Sequence, residues 1–321
     1  MSNYANDKIG VGFYHLDPRW CSHNDFKWFM DRGMTNSYKL EISKGTTTDG
    51  IEFAKERGHQ VWLGVEKFNV NNKSKETLSE YMQKLINYVN TLKERDLWDT
   101  VVGFHWDEPI LGMTNKDFLN SSKAISEEFG KRIFPVFSGY ETMGRKGNMS
   151  DPDGVTMLES FATKYITDYG FDSYGYDFRR PYNTALKGRL QSFSKDYALL
   201  DPNAKCETTE DYYRLAFKML YERMENKNAR AWVFPTTYTT YTWSGSNTDE
   251  DFCIAHIKGL KDILMEQPHP GGIYYYTFKT WRNSEPAMDL HLAKDNPERW
   301  NRFEEAAREI LNELKDIKID L

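Results

Sequence analysis

The chain has 321 residues, enough for one large domain or two ordinary ones, and its formal net charge is −6. This charge provides no basic field for nucleic acid, and no apolar stretch approaches the roughly 20 residues that span a bilayer. The three cysteines, Cys21, Cys206 and Cys253, are scattered and odd in number, unlike a disulfide framework or a clustered zinc site. We therefore expect no nucleic-acid partner, no membrane partner and no cofactor, and the oligomeric state stays open.

The N-terminal residues 1–4 lack the basic and apolar regions of a secretory signal peptide. On this ground we expect a cytoplasmic protein, or a secreted one if a signal peptide has been removed.

Short β-rich runs recur along the chain, separated by segments of helical periodicity. Each run is rich in Val, Ile, Phe, Tyr or Trp and has turn or polar residues nearby, which is typical of strands. The predicted strands are residues 9–15, 35–42, 60–66, 100–107, 132–139, 171–177, 229–238 and 272–279.

Several of the intervening segments carry helix-start signals. Ser74 precedes a segment whose apolar residues recur at helical spacing. Thr248 precedes a second helical segment with acids in its first turn, where the helix dipole favours them. Pro297 lies near the start of the last predicted helix, a position where proline is tolerated.

Eight strands alternating with helices indicate parallel pairing through right-handed crossovers, either in a (β/α)8 barrel or in a doubly wound sheet. The segment GVGFYHLD, residues 10–17, lacks the third glycine and the helix start of a dinucleotide-binding loop. Eight units in this length favour the barrel, and no linker divides the chain. We predict an α/β protein, a single-domain (β/α)8 TIM barrel over residues 1–321, with an elaborated helical segment at about 178–228.

The predicted strand ends collect acids and aromatic residues. Active sites of (β/α)8 barrels lie at this end, whereas a purely structural rim gains nothing from acids that repel each other. In chain order these residues are His15, Asp17, Glu41, Glu66, Asp107, Glu108, Ser138, Tyr140, Glu141, Tyr176, Asp177, Thr236 to Tyr238, Lys279 and Trp281.

The segment GFHWDEP, residues 103–109, ends on two adjacent carboxylates and a proline. It resembles the fourth-strand signature of clan A glycoside hydrolases, whose acid/base glutamate stands at that strand end, usually as Asn-Glu-Pro. FDSYGYDF, from residue 171, resembles the sixth strand of related barrels, and GGIYYYTFKTW, from residue 271, resembles their eighth strand, which ends in an aromatic platform. The resemblance implies a glycoside hydrolase that acts on a poly- or oligosaccharide by two-carboxylate acid/base catalysis.

By this resemblance Glu108 is the general acid, and an ionised Asp107 beside it would raise the pKa of Glu108, as an acid working near neutrality requires. Asp107 stands where the family usually has Asn, so a bond to a sugar hydroxyl is its alternative role. The strand-seven segment WVFPTTYTTYTW, from residue 232, contains no acid where retaining enzymes of the clan carry a nucleophile. The second catalytic carboxylate is therefore sought among Asp177, Glu66 and Glu41, with Asp177 preferred.

The remaining predicted site residues are assigned to substrate binding, because aromatic rings stack on the C–H faces of sugars and polar tips bind hydroxyls. They are His15, Glu41, Glu66, Trp106, Tyr140, Tyr176, Tyr238, Trp243, Lys279 and Trp281.

The sequence also admits three other interpretations. A metal site could use His15, Asp17, His105 and Asp107, but no tight ligand pattern is present, and no metal is predicted. Cys253 has His256 nearby, but at the helical spacing that favours plain packing over nucleophilic catalysis. The third is a non-catalytic glycan-binding barrel that has lost its nucleophile, for which the acid-free strand seven is the best argument.

Overall fold

The protein forms a nearly closed (β/α)8 barrel, as predicted, with eight parallel strands at its centre. This computed structural model describes residues 8–14, 16, 22–42, 46–65, 77–107, 109, 114–138, 163–172, 209–235, 237, 240–241, 246–247, 250–276 and 297–318. The barrel strands are β1 (Gly10–Phe13), β2 (Ser37–Glu41), β3 (Gln60–Gly64), β4 (Val101–Asp107), β5 (Arg132–Ser138), β6 (Asp168–Asp172), β7 (Arg230–Phe234) and β8 (Pro270–Tyr275). From β2 to β8 each strand pairs with the next one in the chain, and β8 pairs with β1.

Helices cover the outside of the barrel. They are α1 (His23–Met30), α2 (Thr46–Glu56), α3 (Leu78–Glu94), α4 (Asn115–Phe129), α5 (Thr209–Arg223), α6 (Glu250–Met265) and α7 (Pro297–Leu314). A short 3-10 helix, Trp98–Thr100, leads into β4, and a small antiparallel ribbon pairs Thr240–Tyr241 with Ser246–Asn247. In the described ranges, no helix is both long and apolar enough to cross a membrane.

Helix α3 begins at a capping box that lies later than the predicted start at Ser74. The Thr77 hydroxyl accepts a hydrogen bond from the Glu80 backbone N–H, and the Glu80 carboxylate accepts one from the Thr77 N–H. This reciprocal pair satisfies two backbone donors that a helix N-terminus leaves open. Ser74 itself lies outside the described residues.

Strand β6 begins at Asp168, three residues before the predicted strand start at residue 171. The shift arises because the strand opens on a fully buried carboxylate, which hydrophobic pattern alone does not identify as a strand residue. Asp168 accepts hydrogen bonds from Arg132, from Arg230 at 3.0 Å and from the Trp232 indole N–H at 3.0 Å. These contacts close the N-terminal end of the barrel, the end that serves stability in this fold.

Above that charged layer, the barrel interior is filled by aromatic side chains. Trp62, Phe134, Trp232 and Tyr274 are fully buried and pack in one cluster. The Trp232 and Tyr274 rings stack with centroids 5.1 Å apart, and the Trp62 ring meets Trp232 edge to face at 5.6 Å. The centre of the barrel is therefore a packed core, and a ligand can reach only its ends.

The barrel closes between β1 and β2 through Asn36, the residue just before β2. The Asn36 side-chain oxygen accepts a hydrogen bond from the Val11 N–H at 2.7 Å, and its amide nitrogen donates to the Ile9 carbonyl at 3.1 Å. The Asn36 backbone N–H donates to the Val11 carbonyl at 2.9 Å. One asparagine thus takes the place of a continuous strand ladder at this seam.

Candidate functional site

Strand β2 carries a row of polar side chains into the barrel. Its apolar residues Tyr38 and Leu40 belong to the outer core against the helices. Because side chains alternate along a strand, Ser37, Lys39 and Glu41 project into the interior. Lys39 is almost fully buried there, with a side-chain exposure of 2%. A buried lysine requires partners for its charge.

Those partners lie at the C-terminal end of the barrel, on β2, on β4 and directly after β1. The Lys39 Nζ lies 2.9 Å from a carboxylate oxygen of Glu41 on β2 and 3.9 Å from one of Asp107 on β4. It also donates a hydrogen bond to the hydroxyl of Tyr14, just after β1, at 3.2 Å. The Glu41 and Asp107 side chains retain 12% and 22% of their exposure. A largely buried carboxylate, Glu41, and a partly exposed one, Asp107, thus flank a buried ammonium, and we call Tyr14, Lys39, Glu41 and Asp107 the Lys39 cluster.

Gly64 provides the space that this cluster needs. It is paired with Glu41 across β2 and β3. A β-carbon on Gly64 would lie 2.6 Å from the Glu41 carboxylate, well inside contact distance. The small residue at the end of β3 therefore fixes where Glu41 can place its charge.

His105 lies one inward-facing position below Asp107 on β4 and is fully buried. Its ring meets Phe134 edge to face, with centroids 4.9 Å apart, and lies 5.7 Å from the Tyr14 ring. Burial, and secondarily the Lys39 ammonium, hold the pKa of His105 well below its ordinary value. The imidazole is therefore neutral at physiological pH, and it lies beneath the cluster, on the side of the barrel core.

Trp106 does not line a cleft, so this part of the sequence prediction is corrected. Its side chain is fully buried, and its ring packs edge to face on Phe118 of α4, with centroids 5.7 Å apart. The reason is strand alternation: His105 and Asp107 face the barrel interior, so Trp106 between them must face the helices. Its role is to fill the core.

The structure brings two of the predicted site residues together, namely Glu41 and Asp107. Apart from Trp106, the others lie outside the described residues, and their assignments stay predictions. These are Glu108, Asp177, His15, Glu66, Tyr140, Tyr176, Tyr238, Trp243, Lys279 and Trp281. In the backbone, β6 ends at Asp172.

Lys39 and Tyr14 are site residues that the sequence analysis did not identify. A usable signal existed for Lys39, because the polar residues Ser37, Lys39 and Glu41 alternate with apolar ones along a single strand. In a barrel the outer face of each strand is covered by helices, so a polar alternate face must point inward.

The structure also bears on two of the alternative interpretations, the metal site and the cysteine nucleophile. Across the described ranges, no three His, Cys, Asp or Glu side chains are grouped so as to hold a metal ion. Cys253 and His256 are both buried in α6, and burial lowers the pKa of His256 to about 4. This environment is that of packed core residues.

No protein-family model matches the chain, and no curated protein sequence matches it. Among solved structures, it is similar to a GH2 β-galacturonidase from Eisenbergiella tayi, with 10% identity over 98% of this chain and 52% of that one, at a TM-score of 0.53. It is also similar to a β-glucuronidase from Ruminococcus gnavus in complex with uronic isofagomine, with 10% identity over 87% and 46% of the two chains, at a TM-score of 0.51. The chain spans about half the length of these proteins. At this identity the likeness shows a shared fold, one that glycoside hydrolases use.

Proposed function

We propose that this protein is a glycoside hydrolase that cleaves a poly- or oligosaccharide at the C-terminal end of its barrel. The observation that carries the proposal is the assembly of two carboxylates, the largely buried Glu41 and the partly exposed Asp107, around Lys39 at that end. Enzymes with this fold place their chemistry there. The fold-level likeness to glycosidases adds support by analogy.

Within this proposal Glu108 is the general acid that protonates the glycosidic oxygen. It directly follows Asp107, whose carboxylate Lys39 anchors at the last position of β4. The Lys39 cluster would thus set where the chain leaves the strand and how Glu108 approaches the bond. We assign Asp107 a positioning role, together with a bond to a sugar hydroxyl.

Glu41 and Asp107 do not form the reacting pair in this proposal, because both carboxylates lie within 4 Å of the Lys39 ammonium. A glycosidase needs the space between its two carboxyl groups for the anomeric carbon, and an inverting enzyme also needs room for a water. The partner of Glu108 is therefore another strand-end acid. Asp177 is the proposed partner, and Asp172 at the end of β6 is its competitor.

The partner carboxylate either attacks the anomeric carbon or activates a water that does so. A separation of about 5 Å from Glu108 gives retention of configuration, and about 6.5–9.5 Å gives inversion. In both cases Glu108 delivers the proton to the leaving oxygen.

The test is incubation of the protein with a panel of oligosaccharides, followed by detection of new reducing ends. Asp172→Asn and Asp177→Asn are assayed in parallel with Glu108→Gln. The second catalytic carboxylate is the residue whose substitution lowers turnover at least as much as Glu108→Gln does. We expect cleavage of at least one substrate class by the unmodified protein.

A second candidate function is a glycan-binding barrel without catalysis. The observation that favours it is β7, Arg230–Phe234, which contains no acid. Sugar binding without any new reducing end across the panel would support this candidate and contradict the hydrolase.

A further inference from the structure

We infer that Tyr274 and Ser37 are positioning residues for the Lys39 cluster, and that they act through the hydrogen bond between their hydroxyls inside the barrel. The inference rests on the proposed function, because it gives the cluster a role in hydrolysis. It concerns the seam between β1 and β2, where the described strands form no continuous ladder.

The Lys39 cluster spans this seam. Lys39 and Glu41 lie on β2, whereas Tyr14 directly follows β1. The hydrogen bond from the Lys39 ammonium to the Tyr14 hydroxyl, at 3.2 Å, therefore runs from one side of the seam to the other. On their other sides β2 pairs with β3 and β1 pairs with β8, so these ladders connect β2 to β1 only by way of the whole barrel. Local contacts that fix β1 against β2 therefore fix the geometry of the cluster.

A hydrogen bond inside the barrel crosses the same seam. The Tyr274 hydroxyl on β8 lies 2.8 Å from the Ser37 hydroxyl on β2, and both side chains are fully buried. Because β8 pairs with β1 on the side away from the seam, this bond reaches over β1 to join β8 to β2. Ser37 is two residues before Lys39, on the same inner face of the strand. The bond thus holds β2 one inward-facing position below the ammonium.

Gly12 of β1 provides the space for this contact. It is paired with Tyr274 in the ladder between β1 and β8. A β-carbon on Gly12 would lie 2.5 Å from the Tyr274 ring and closer still to the Ser37 carbonyl oxygen. Because Gly12 has no side chain, the Tyr274 ring can lie across β1 and meet Ser37 on the other side.

The Tyr274 hydroxyl is held in place by the packing of its ring. The ring stacks on Trp232 in the centre of the barrel, with centroids 5.1 Å apart. Burial raises the pKa of Tyr274, so the hydroxyl stays protonated near neutrality. A buried serine hydroxyl that lost this partner would be left without a hydrogen bond, which is unfavourable. The packed core thus sets the position of β2 through one hydroxyl pair.

The consequence for hydrolysis follows from the proposed mechanism, in which the Lys39 cluster sets how Glu108 approaches the glycosidic bond. A displacement of about 1 Å in a catalytic arrangement can lower the rate about 10²-fold. Loss of one hydrogen bond below the cluster allows a smaller displacement. We therefore expect a measurable loss of turnover from a substitution that removes a single buried oxygen atom.

The experiment is a double-mutant cycle on turnover. Tyr274→Phe removes the hydroxyl and keeps the stacked ring, so kcat for a natural oligosaccharide should fall about tenfold. KM should stay within about twofold, because the affected interaction is made in the transition state. Ser37→Ala should cause the same loss. The double variant should lose no more than either single variant, since all three lack the same bond.

Tyr275→Phe is the matched control. Tyr275 is the next residue on β8 and is also fully buried, but its ring faces the helices and packs on Phe13 and Phe303. Within the described part of the chain its hydroxyl makes no hydrogen bond. Tyr275→Phe should therefore leave kcat unchanged. A purely structural role for Tyr274 would lower the melting temperature of Tyr274→Phe and leave kcat per folded molecule as it was.

The outcomes separate this inference from the proposed function. An unchanged kcat in Tyr274→Phe, additive losses in the double variant, or an equal loss in Tyr275→Phe overturns the inference and leaves the hydrolase standing. If the unmodified protein cleaves no glycoside, the hydrolase proposal fails, and the nitrogen NMR resonance of the Lys39 ammonium decides the inference. Tyr274→Phe and Ser37→Ala should both shift this resonance, and Tyr275→Phe should not. A resonance that stays in place in the first two variants overturns the inference.

Discussion

The carboxylate of Glu41 occupies the space that a side chain on Gly64 would need. The two residues are paired across β2 and β3, and a β-carbon on Gly64 would stand 2.6 Å from the carboxylate atoms. The ion pair between Glu41 and Lys39 therefore depends on a residue that takes no part in it.

Gly64→Ala tests this dependence. The added methyl group should push Glu41 away from Lys39, lower glycosidase activity at least tenfold and reduce the free energy of unfolding by about 1–3 kcal/mol, the usual cost of overpacking. Urea unfolding and initial rates measure the two effects. Gly259→Ala on α6 is the control, because its nearest neighbour would lie at an ordinary 3.5 Å, and alanine should stabilise a helix by about 0.5–1 kcal/mol. An unchanged rate in Gly64→Ala would show that Glu41 is free to move.

The Lys39–Glu41 pair should show strong energetic coupling. Lys39→Met leaves two neighbouring carboxylates without their shared cation, and removing one partner of a buried pair costs about 3–5 kcal/mol. Glu41→Gln should cost less, because Asp107 still faces the ammonium. In the double variant the loss in free energy of unfolding should be smaller than the sum of the single losses. Additive losses would mean that the ion pair contributes nothing to folding.

Glu108→Gln tests the general acid. The substitution keeps size and hydrogen bonding but removes the transferable proton, so turnover of a natural glycoside should fall by roughly 10²–10⁴. Nitrophenyl glycosides need less protonation and should lose much less. The melting temperature should stay close to that of the unmodified protein, since a carboxylate at the rim of the barrel contributes little to core packing. Full activity on a natural glycoside would remove Glu108 from the mechanism.

Asp107→Asn separates the influence of Asp107 from that of Glu108. If an ionised Asp107 raises the pKa of Glu108, its neutral isostere should lower that pKa, and the basic limb of the pH–rate profile should move to lower pH without abolishing turnover. If the basic limb of the profile does not move, Asp107 has no influence on the pKa of Glu108, and its role is in binding alone.

Buried histidines should make the protein less stable in mild acid. Burial lowers the pKa of His256 to about 4, whereas an unfolded histidine titrates near 6.5. Between these values the unfolded chain binds a proton that the folded protein excludes, so the free energy of unfolding should fall as the pH drops, by about 3 kcal/mol in total at pH 4. Burial lowers the pKa of His59 to about 4 as well, with the same sign of effect.

Urea unfolding at pH 7 and pH 4.5 measures this loss. His256→Leu should reduce the difference between the two pH values, because the titrating group is gone. Ile257→Val is the matched control, since it alters the buried packing next to His256 on α6 without removing a titrating group, and it should leave the difference unchanged. If His256→Leu also leaves the difference between the two pH values unchanged, the destabilisation in acid comes from other groups.

The barrel could be predicted because hydrophobic strands and amphipathic helices alternate along the whole chain, and this pattern needs no knowledge of contacts. The pairing of the buried charges could not, since a hydrophobic pattern does not say which residues neutralise Lys39 and Asp168. Lys39 is paired with Glu41 on its own strand and with Asp107 on β4, and Asp168 is paired with Arg132 on β5 and Arg230 on β7.

Trp106 shows a different kind of error. An aromatic ring suits a sugar-binding surface, but the position of Trp106 along β4 does not place it on one. Side chains alternate along a strand, so an inward-facing Asp107 requires an outward-facing Trp106. The residue type suggested a sugar-binding role, but the geometry of the strand directs the Trp106 side chain toward the helices rather than into the barrel.

The seam at Asn36 sets the order in which this barrel comes apart. Seven strands are joined in an unbroken series from β2 to β8, whereas β1 is joined to β2 at Asn36, through two side-chain hydrogen bonds and one backbone hydrogen bond. An isolated bridge between Lys8 and Lys318 also ties the approach to β1 to the C-terminal segment after α7. Sub-global opening therefore begins by detaching β1 from β2, and the Val11 amide, protected by Asn36, should exchange with solvent deuterium sooner than the amides of β5.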